Sequence, residues 1–590
     1  MTRFPVSLFA TDGHTARKET WTMQSDVLIV GAGVNGNLTA RYLKQQQPDL
    51  DIVVLDKGQS NLPLVGESLT EYSTHFLRQL GFGDHLEEKH YHKYGLTFYF
   101  KDRLDDPQDR TYSVHEAPAI PPMQSALINR YVFDQELRQR NEAAGITYRQ
   151  ASASSIRGVQ DGFAVTAKRS SETGSSSDEI RAKWVVDCSG RSRFLVKQLG
   201  LQAPLSTPQR CSYWFRLVDF DQERLNDLIA IKEGQSAFDS YYTTHHFMGD
   251  GNWAWCIPMR PHDDHKNLIS IGVVWRPDLK DPEIKSVESF VEYFREEHPV
   301  ISELVESGTY LDHGLYRNYM YQSSHVYSPQ GWFLIGDAAD TVDPLYSTGL
   351  VLSSLQITQV EKMIAEDKAG RLTTETVQDF ESAYQNTWSM MQSEISGAYE
   401  VVHGPWQSHW RMYISSLVYF HLMLPAWLAG YMVDPKGARW ITQFLSISRQ
   451  NTNSLARILM LSDGHPKNGS ARDLPNRYAE TINWKLWRGD EMQMHRHLSV
   501  MLRRLAKYRF LFWRRSGFQE PVRQGFAITK ELGGSLLFGT LLRWTKPHRL
   551  ARAKRLKMPL PPEVPSKDLL PINASPPEVA SRSPAKTKAS

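Results

Sequence analysis

Asp26 to Lys57 reads DVLIVGAGVNGNLTARYLKQQQPDLDIVVLDK, and its glycine spacing decides how the chain begins to fold. Val27 to Val30 is a short apolar run suited to a buried parallel strand. Gly31, Gly33 and Gly36 follow in the G-x-G-x-x-G pattern at the opening of a helix. One glycine permits the tight turn, one lets the backbone approach a pyrophosphate, and one lets the helix pack closely on the strand, with phosphates at the helix N-terminus. A second apolar strand, Ile52 to Leu55, ends in Asp56, at the spacing where a carboxylate accepts ribose hydroxyls. The stretch predicts a dinucleotide-binding strand–helix–strand unit.

At 590 residues the chain is too long for one compact core and predicts two to four units. A formal net charge of +3 argues against a dedicated nucleic-acid binder. Cys188, Cys211 and Cys256 have no CxxC spacing, which argues against a zinc site or disulfide framework and points to a reducing cytoplasm. Residues 1–24 carry Asp12, His14, Arg17, Lys18 and Glu19 and no continuous apolar run, so they read as a flexible arm rather than a secretory signal, with Met23 as an alternative start.

Further motifs follow in order. Gly66-Glu67-Ser68-Leu69-Thr70 precedes a helical pattern, and Lys93-Tyr94-Gly95-Leu96-Thr97-Phe98 begins a strand. Read alone, the first is a helix cap and Lys93 is a surface lysine. Ala126 to Gly145 reads as a strand end and a helix opened by Arg130. FAVTAK and EIRAKWVVD form a hairpin across a polar loop, Arg169 to Asp178, ending in Asp187-Cys188-Ser189-Gly190-Arg191-Ser192. Residues from about 201 to 327 alternate strands with turns. Within them Trp253-Ala254-Trp255-Cys256-Ile257-Pro258 places two tryptophans on one strand face, able to wall a cavity. His245 and His246 are adjacent on a strand and face opposite ways, so no metal site is expected. Gly331 to Ala339, GWFLIGDAA, reads as a buried strand running into a helix, followed by Asp343-Pro344-Leu345-Tyr346-Ser347-Thr348-Gly349.

This series resembles the flavin-dependent halogenases, a branch of the FAD monooxygenases, over roughly residues 25 to 370. The resemblance implies an α/β fold: a Rossmann-type FAD domain, an inserted mixed β-sheet that faces substrate, and a mainly helical C-terminal region. It implies FAD at Gly31, Gly33, Gly36, Asp56, Glu67, Ser68, Arg130 and Asp337, with Arg130 near the diphosphate and Asp337 on the ribityl chain. Lys93 stands at the catalytic lysine of the phenol- and carrier-type enzymes, which passes on an electrophilic halogen. Ser347, Thr348 and Gly349 match the loop that binds halide, and Trp253 and Trp255 the motif associated with suppressing hydroxylation. Tyr346 stands where tryptophan-type enzymes have glutamate, so a phenolic, pyrrolic or carrier-tethered substrate is expected, with Tyr346 lining or occluding the pocket. No second dinucleotide fingerprint is present, so reduced FAD is expected from a separate flavin reductase. Two alternatives stay open: a hydroxylase, epoxidase or dehydrogenase of the same fold without halide use, and a membrane-associated flavin-binding scaffold.

The expected organisation is an arm at 1–24, a monooxygenase core at 25–400, a helical basic region at 401–558 and a disordered tail at 559–590. Met412 to Val433 is long enough to invite a membrane-span reading. His421 and Pro425 argue instead for buried or interfacial helices. Arg496 to Lys557 carries 16 Lys or Arg against two acids, a basic amphipathic signature that fits an anionic membrane surface or an acidic partner such as an acyl or peptidyl carrier protein. Location is therefore expected to be cytoplasmic, with contact at the membrane periphery as a further option.

Overall fold

In the computed structural model the described residues are 22–58, 64–101, 112–116, 125–171, 174–230, 240–400, 405–446 and 494–515. Most of the arm, the proline-rich tail and the basic run beyond 515 lie outside the described residues. The strand opening the chain is longer than the apolar run suggests. β1 covers Thr22–Val30, because its first residues pair with Glu179 to Ala182.

The first sheet is built around β1, β2 (Ile52–Asp56) and β10 (Gly174–Asp187), with β1 between the other two and parallel to both. β7 (Thr147–Gln150) adds to β2 in parallel, and β16 (Trp332–Leu334) to β10. β9 (Gly162–Ser171) and β8 (Ser152–Val159) complete it in antiparallel fashion. The β9–β10 hairpin is tighter than expected: Ser171 pairs with Gly174, so most of the anticipated polar loop is strand. Its Ser/Thr-rich composition disguises a backbone ladder that an Arg169–Asp178 ion pair ties across the two strands.

The second sheet runs β15 (Thr309–Tyr316), β11 (Cys211–Val218), β14 (Leu268–Trp275), β13 (Asn252–Met259), β12 (Thr244–Gly249), β4 (Leu96–Lys101), β5 (Tyr112–Glu116). It therefore draws two strands from before residue 201, and the expected span of 201–327 is too narrow. β4 joins in parallel to β12, a long-range pairing that local sequence does not report. A ribbon of β3 (Tyr91–Lys93) with β6 (Ser125–Leu127) bridges the sheets. Lys93 closes β3 rather than opening a strand, since Gly95 turns the chain at φ +123° before β4.

Past residue 400 the described helices join the core. Tyr413, Ile414, Leu417, Leu422, Leu424, Trp427, Phe444 and Leu445 are buried in one cluster with β1, β2 and β10, and so are Leu498, Met501 and Leu502. Ile395, Ala398, Tyr399 and Met412 close over the tryptophan face of the second sheet. Met412 to Val433 is divided into a helix ending at Val418, a π-helical turn Tyr419–Met423, a short helix Leu424–Leu428 and a last turn Tyr431–Val433. Among the described residues no helix is long and apolar enough to cross a membrane. These are the buried helices the polar interruptions called for.

Candidate active site

The first turn is constrained by contact. Gly31 has φ +106°, and a Cβ there would sit 2.5 Å from the Cys188 carbonyl oxygen. At Gly36 a Cβ would fall 1.9 Å from the Gly31 carbonyl oxygen, so the helix Val34–Gln46 can approach the strand only without a side chain. Gly33 differs: a Cβ would meet no heavy atom within 4 Å. The space above it is open at the start of a helix whose free N–H groups suit a phosphate. Asp56 ends β2 partly exposed. It accepts hydrogen bonds from Gly58 N (2.9 Å) and Arg138 Nη1 (3.2 Å), and each oxygen keeps a lone pair for a ribose hydroxyl.

A cavity extends from this turn between the two sheets, enclosing about 1400 Å³ with its open mouth included. Its wall contains Glu67, Ser68, Arg130, Asp337, Ser347, Gly349, Trp253 and Trp255, which the sequence analysis had scattered over the chain. Thr70, not Glu67 or Ser68, caps the following helix by accepting from Ser73 N, so the Glu-Ser pair is released to the cavity. Glu67 is buried, accepts from Gly66 N through Oε2, and has no partner for Oε1. Burial raises its pKa against the pull of Arg130 and Arg216. Arg130 donates through Nε and Nη2 to both carboxylate oxygens of Asp134 and through Nη1 to the Val65 carbonyl. Its fork is thus filled from within the chain. Asp337 is exposed to the cavity, and partial loss of water between the cavity walls raises its carboxyl's pKa in spite of Arg191. Gly336–Ala338 is a single 3-10 turn, and the α-helix expected there begins only at Gly349.

Asp343 builds the loop that follows. Its Oδ1 accepts from Leu345 N (3.1 Å), and its Oδ2 accepts from Arg210 Nε (2.7 Å) and the Tyr399 hydroxyl (2.8 Å), all fully or nearly fully buried. Ser347 then takes a left-handed conformation, φ +57°, and Thr348 leads into the 20-residue helix Gly349–Lys368. Thr348 makes no side-chain cap, and its buried Oγ1 has no partner. A long helix with an uncapped N-terminus at a cavity wall favours an anion.

Lys93 is buried, and its Nζ donates to Ser68 Oγ (2.8 Å) and the Leu69 carbonyl (2.9 Å). Ser68 Oγ also accepts from Ser347 Oγ (2.9 Å) and meets Thr244 Oγ1 at 2.7 Å. One hydroxyl therefore joins the lysine, the loop Asp343 to Gly349 and β12. Burial lowers the Lys93 pKa to about 8, with Glu71 opposing the shift. Lys93 is not itself on the cavity wall; Ser68 stands between them.

His246, considered in the sequence only as a metal ligand, is a wall residue. It stacks on Phe98 at 4.6 Å and contacts Trp253 at 5.5 Å between centroids, while His245 on the other face meets the Tyr99 hydroxyl at 3.0 Å. Burial pushes His246 down to about 3, so it is neutral. Trp253 and Trp255 lie 5.7 Å apart on one face of β13. Tyr346 is not on that wall. Its ring lies edge-on to Phe98 and its hydroxyl donates to Met412 Sδ at 3.3 Å, because the 3-10 turn aims it outward from the loop. Arg191, from the turn Asp187 to Ser192 quoted above, also lines the cavity, as does Trp214, which carries no sequence signal.

Residues 24–381 match the FAD binding domain family, and the cavity runs from the glycine turn to Asp337 within that span. The chain belongs to this family. Among its relatives is the flavin-dependent halogenase chlA of Dictyostelium discoideum, 26% identical over 70% of this chain and 72% of that protein. Another is the chlorinase of 1H-pyrrole-2-carbonyl groups on a peptidyl carrier protein from Pseudomonas fluorescens, 24% identical over 55% of this chain and 72% of the relative. The solved structure of halogenase PltM superposes with a TM-score of 0.60 at 19% identity, covering 81% of this chain and 96% of that one, and it shows the shared fold. The chain is an FAD-dependent enzyme of this family and is similar to flavin-dependent halogenases. Open space above Gly33, the half-exposed Asp56 and the cavity-facing Asp337 fit FAD.

Proposed function

We propose that this enzyme halogenates an electron-rich aromatic ring, with Lys93 as the group that carries halogen to substrate. The hydrogen-bonded chain from Lys93 through Ser68 to Ser347 carries the reading, since it joins the buried amine to the helix start that suits a halide. Gly31, Gly33, Gly36 and Asp56 would hold the adenosine diphosphate half of FAD, and Asp337 the ribityl chain. Glu67, Ser68 and Arg130 would stand near the ring and diphosphate. Reduced FAD, brought by a separate flavin reductase, supplies the activation of oxygen that oxidises halide. Backbone N–H groups at Thr348 and Gly349 hold that halide, and Trp253, Trp255 and His246 keep the cavity apolar and poor in water.

With a pKa near 8, Lys93 offers both an ammonium that can hold hypohalous acid by hydrogen bonding and an amine that can react with it. In the second course an N–H is exchanged for N–halogen with release of water. The aromatic carbon then takes the halogen as a cation equivalent and loses its own proton, which restores the amine. A phenol or pyrrole suits this electrophile. Likeness to the carrier-protein chlorinase supports a pyrrolyl or phenolic acyl group held on a peptidyl carrier protein as an equally fitting form.

The test supplies protein with FAD, a flavin reductase, NADH and bromide, and compares wild type with Lys93→Ala on a panel of phenols and pyrroles, free and carrier-tethered. Bromination by the wild type and a loss of at least about a hundredfold in the variant are expected, the scale of removing a positioned catalytic group. Bromination undiminished in Lys93→Ala would remove the lysine from the reaction. Oxygen uptake with oxygenated but unhalogenated product would make the enzyme a hydroxylase.

A further inference from the structure

One turn of the C-terminal helices reaches the segment beside Lys93. Glu71 is the first residue of the helix Glu71–Gln79, directly after the loop that holds Lys93. It is buried, and its Oε2 accepts a hydrogen bond from the Tyr419 hydroxyl at 3.0 Å. Tyr72 N donates to the same hydroxyl at 3.4 Å, which leaves the phenol's own proton for the carboxylate. Tyr419 opens the π-helical turn that interrupts the C-terminal helices, at positions past the end of the matched FAD binding domain. π-Turns recur where a helix must deliver a side chain to a site.

The direct partners of Lys93 Nζ, a hydroxyl and a carbonyl, carry no charge. Two titratable side chains from neighbouring elements face it electrostatically: Glu71 from the helix and His246 from β12. His246 is neutral, so among the described residues Glu71 supplies the opposing charge. Glu71 in turn faces Lys93 and Tyr419: burial raises its pKa, and its own backbone N–H, Lys93 and the Tyr419 hydroxyl each pull against that shift.

We propose that Glu71 is a positioning residue for Lys93, and that Tyr419, delivered by the C-terminal helices, holds the Glu71 carboxylate ionised so that the lysine stays protonated between turnovers. This rests on Lys93 being the halogen carrier. The consequence is a lysine whose reactive fraction is set from outside the FAD-binding region. Without the charge on Glu71, burial acts unopposed and the amine is freed at lower pH. Without the Tyr419 hydroxyl, the carboxylate protonates more readily and the same change follows in smaller degree.

The test is the pH dependence of Lys93 carbamylation by cyanate, read by mass spectrometry of the Lys93 peptide in the full chain loaded with FAD. Cyanate reacts with the amine and needs no halide, oxygen or substrate. Wild type is expected to show a midpoint near 8. Glu71→Gln should move it down by about one unit, the scale of one nearby charge, and Tyr419→Phe should move it the same way by less. Glu71→Asp, which keeps the charge, should restore most of the shift. Equal plateau rates at high pH show that access to the lysine is unchanged, and retained FAD binding shows that the fold is intact. Should Glu71→Gln fail to bind FAD, the pair Tyr419→Phe and Glu71→Asp decides. Midpoints that stay at the wild-type value with equal plateaus overturn the proposal. That failure is distinct from halogenation persisting in Lys93→Ala, which overturns the role of the lysine while leaving its titration as measured.

Discussion

A methyl group at Gly33 meets nothing within 4 Å, whereas one at Gly36 overlaps the Gly31 carbonyl. The two glycines of one motif therefore answer to different demands, one from a ligand and one from the fold. Gly33 has φ −69° and ψ −178°, a conformation open to alanine. Gly33→Ala is expected to fold with an unchanged melting temperature while FAD affinity falls about 10–100-fold, the cost of one methyl group forced into a filled space. Gly36→Ala should lose the folded turn itself. Equilibrium dialysis with FAD beside thermal melts checks both, and unchanged FAD binding in Gly33→Ala would show that no phosphate sits above it. These glycines, and the paired Trp253 and Trp255, were legible because backbone sterics and strand alternation are local. Tyr346 was not, since its contact lies 66 residues away on Met412. Arg210 gave no signal at all, its partner Asp343 being 133 residues distant.

At the scale of the element, the segment Asp343 to Gly349 is a loop held from beneath. Arg210 and Tyr399 fix Asp343, Asp343 fixes Leu345, and the left-handed Ser347 turns the chain into the long helix. Removing the charge of a buried pair leaves its partner uncompensated, at a cost of about 3–5 kcal/mol. Asp343→Asn is therefore expected to lower the melting temperature and, more specifically, to raise the KM for bromide more than the Kd for FAD. Steady-state kinetics with varied bromide checks this; an unmoved bromide KM in a destabilised variant would place the halide elsewhere. Strand identity was readable from apolar runs, but pairing was not. The parallel union of β4 with β12 and the full length of the β9–β10 hairpin depend on backbone partners that no local composition reveals.

For the whole molecule, the division at residue 400 suggested by composition is not a division of the core. Trp427, Phe444, Leu445, Leu498 and Met501 lie in the same buried cluster as β1 and β2. A chain ending at Glu400 would expose that surface to water at roughly 25 cal/mol per Å². It is expected to be insoluble or to lose near-ultraviolet circular dichroism and FAD binding together. A soluble, FAD-binding fragment would show that the C-terminal helices are an accessory layer. The placement of the sulfur atoms has a separate consequence. Cys188, Cys211 and Cys256 are all buried, and burial raises each thiol's pKa, keeping it out of the thiolate form. Thiolates are the groups that oxidants consume first. Under the halogenation proposed above, the three thiols lie buried away from any hypohalous acid formed in the cavity. The indoles of Trp214, Trp253 and Trp255, which line the cavity, would then be the oxidisable groups nearest that agent, so the proposed chemistry predicts that damage accumulated over turnovers is found there by peptide mass spectrometry.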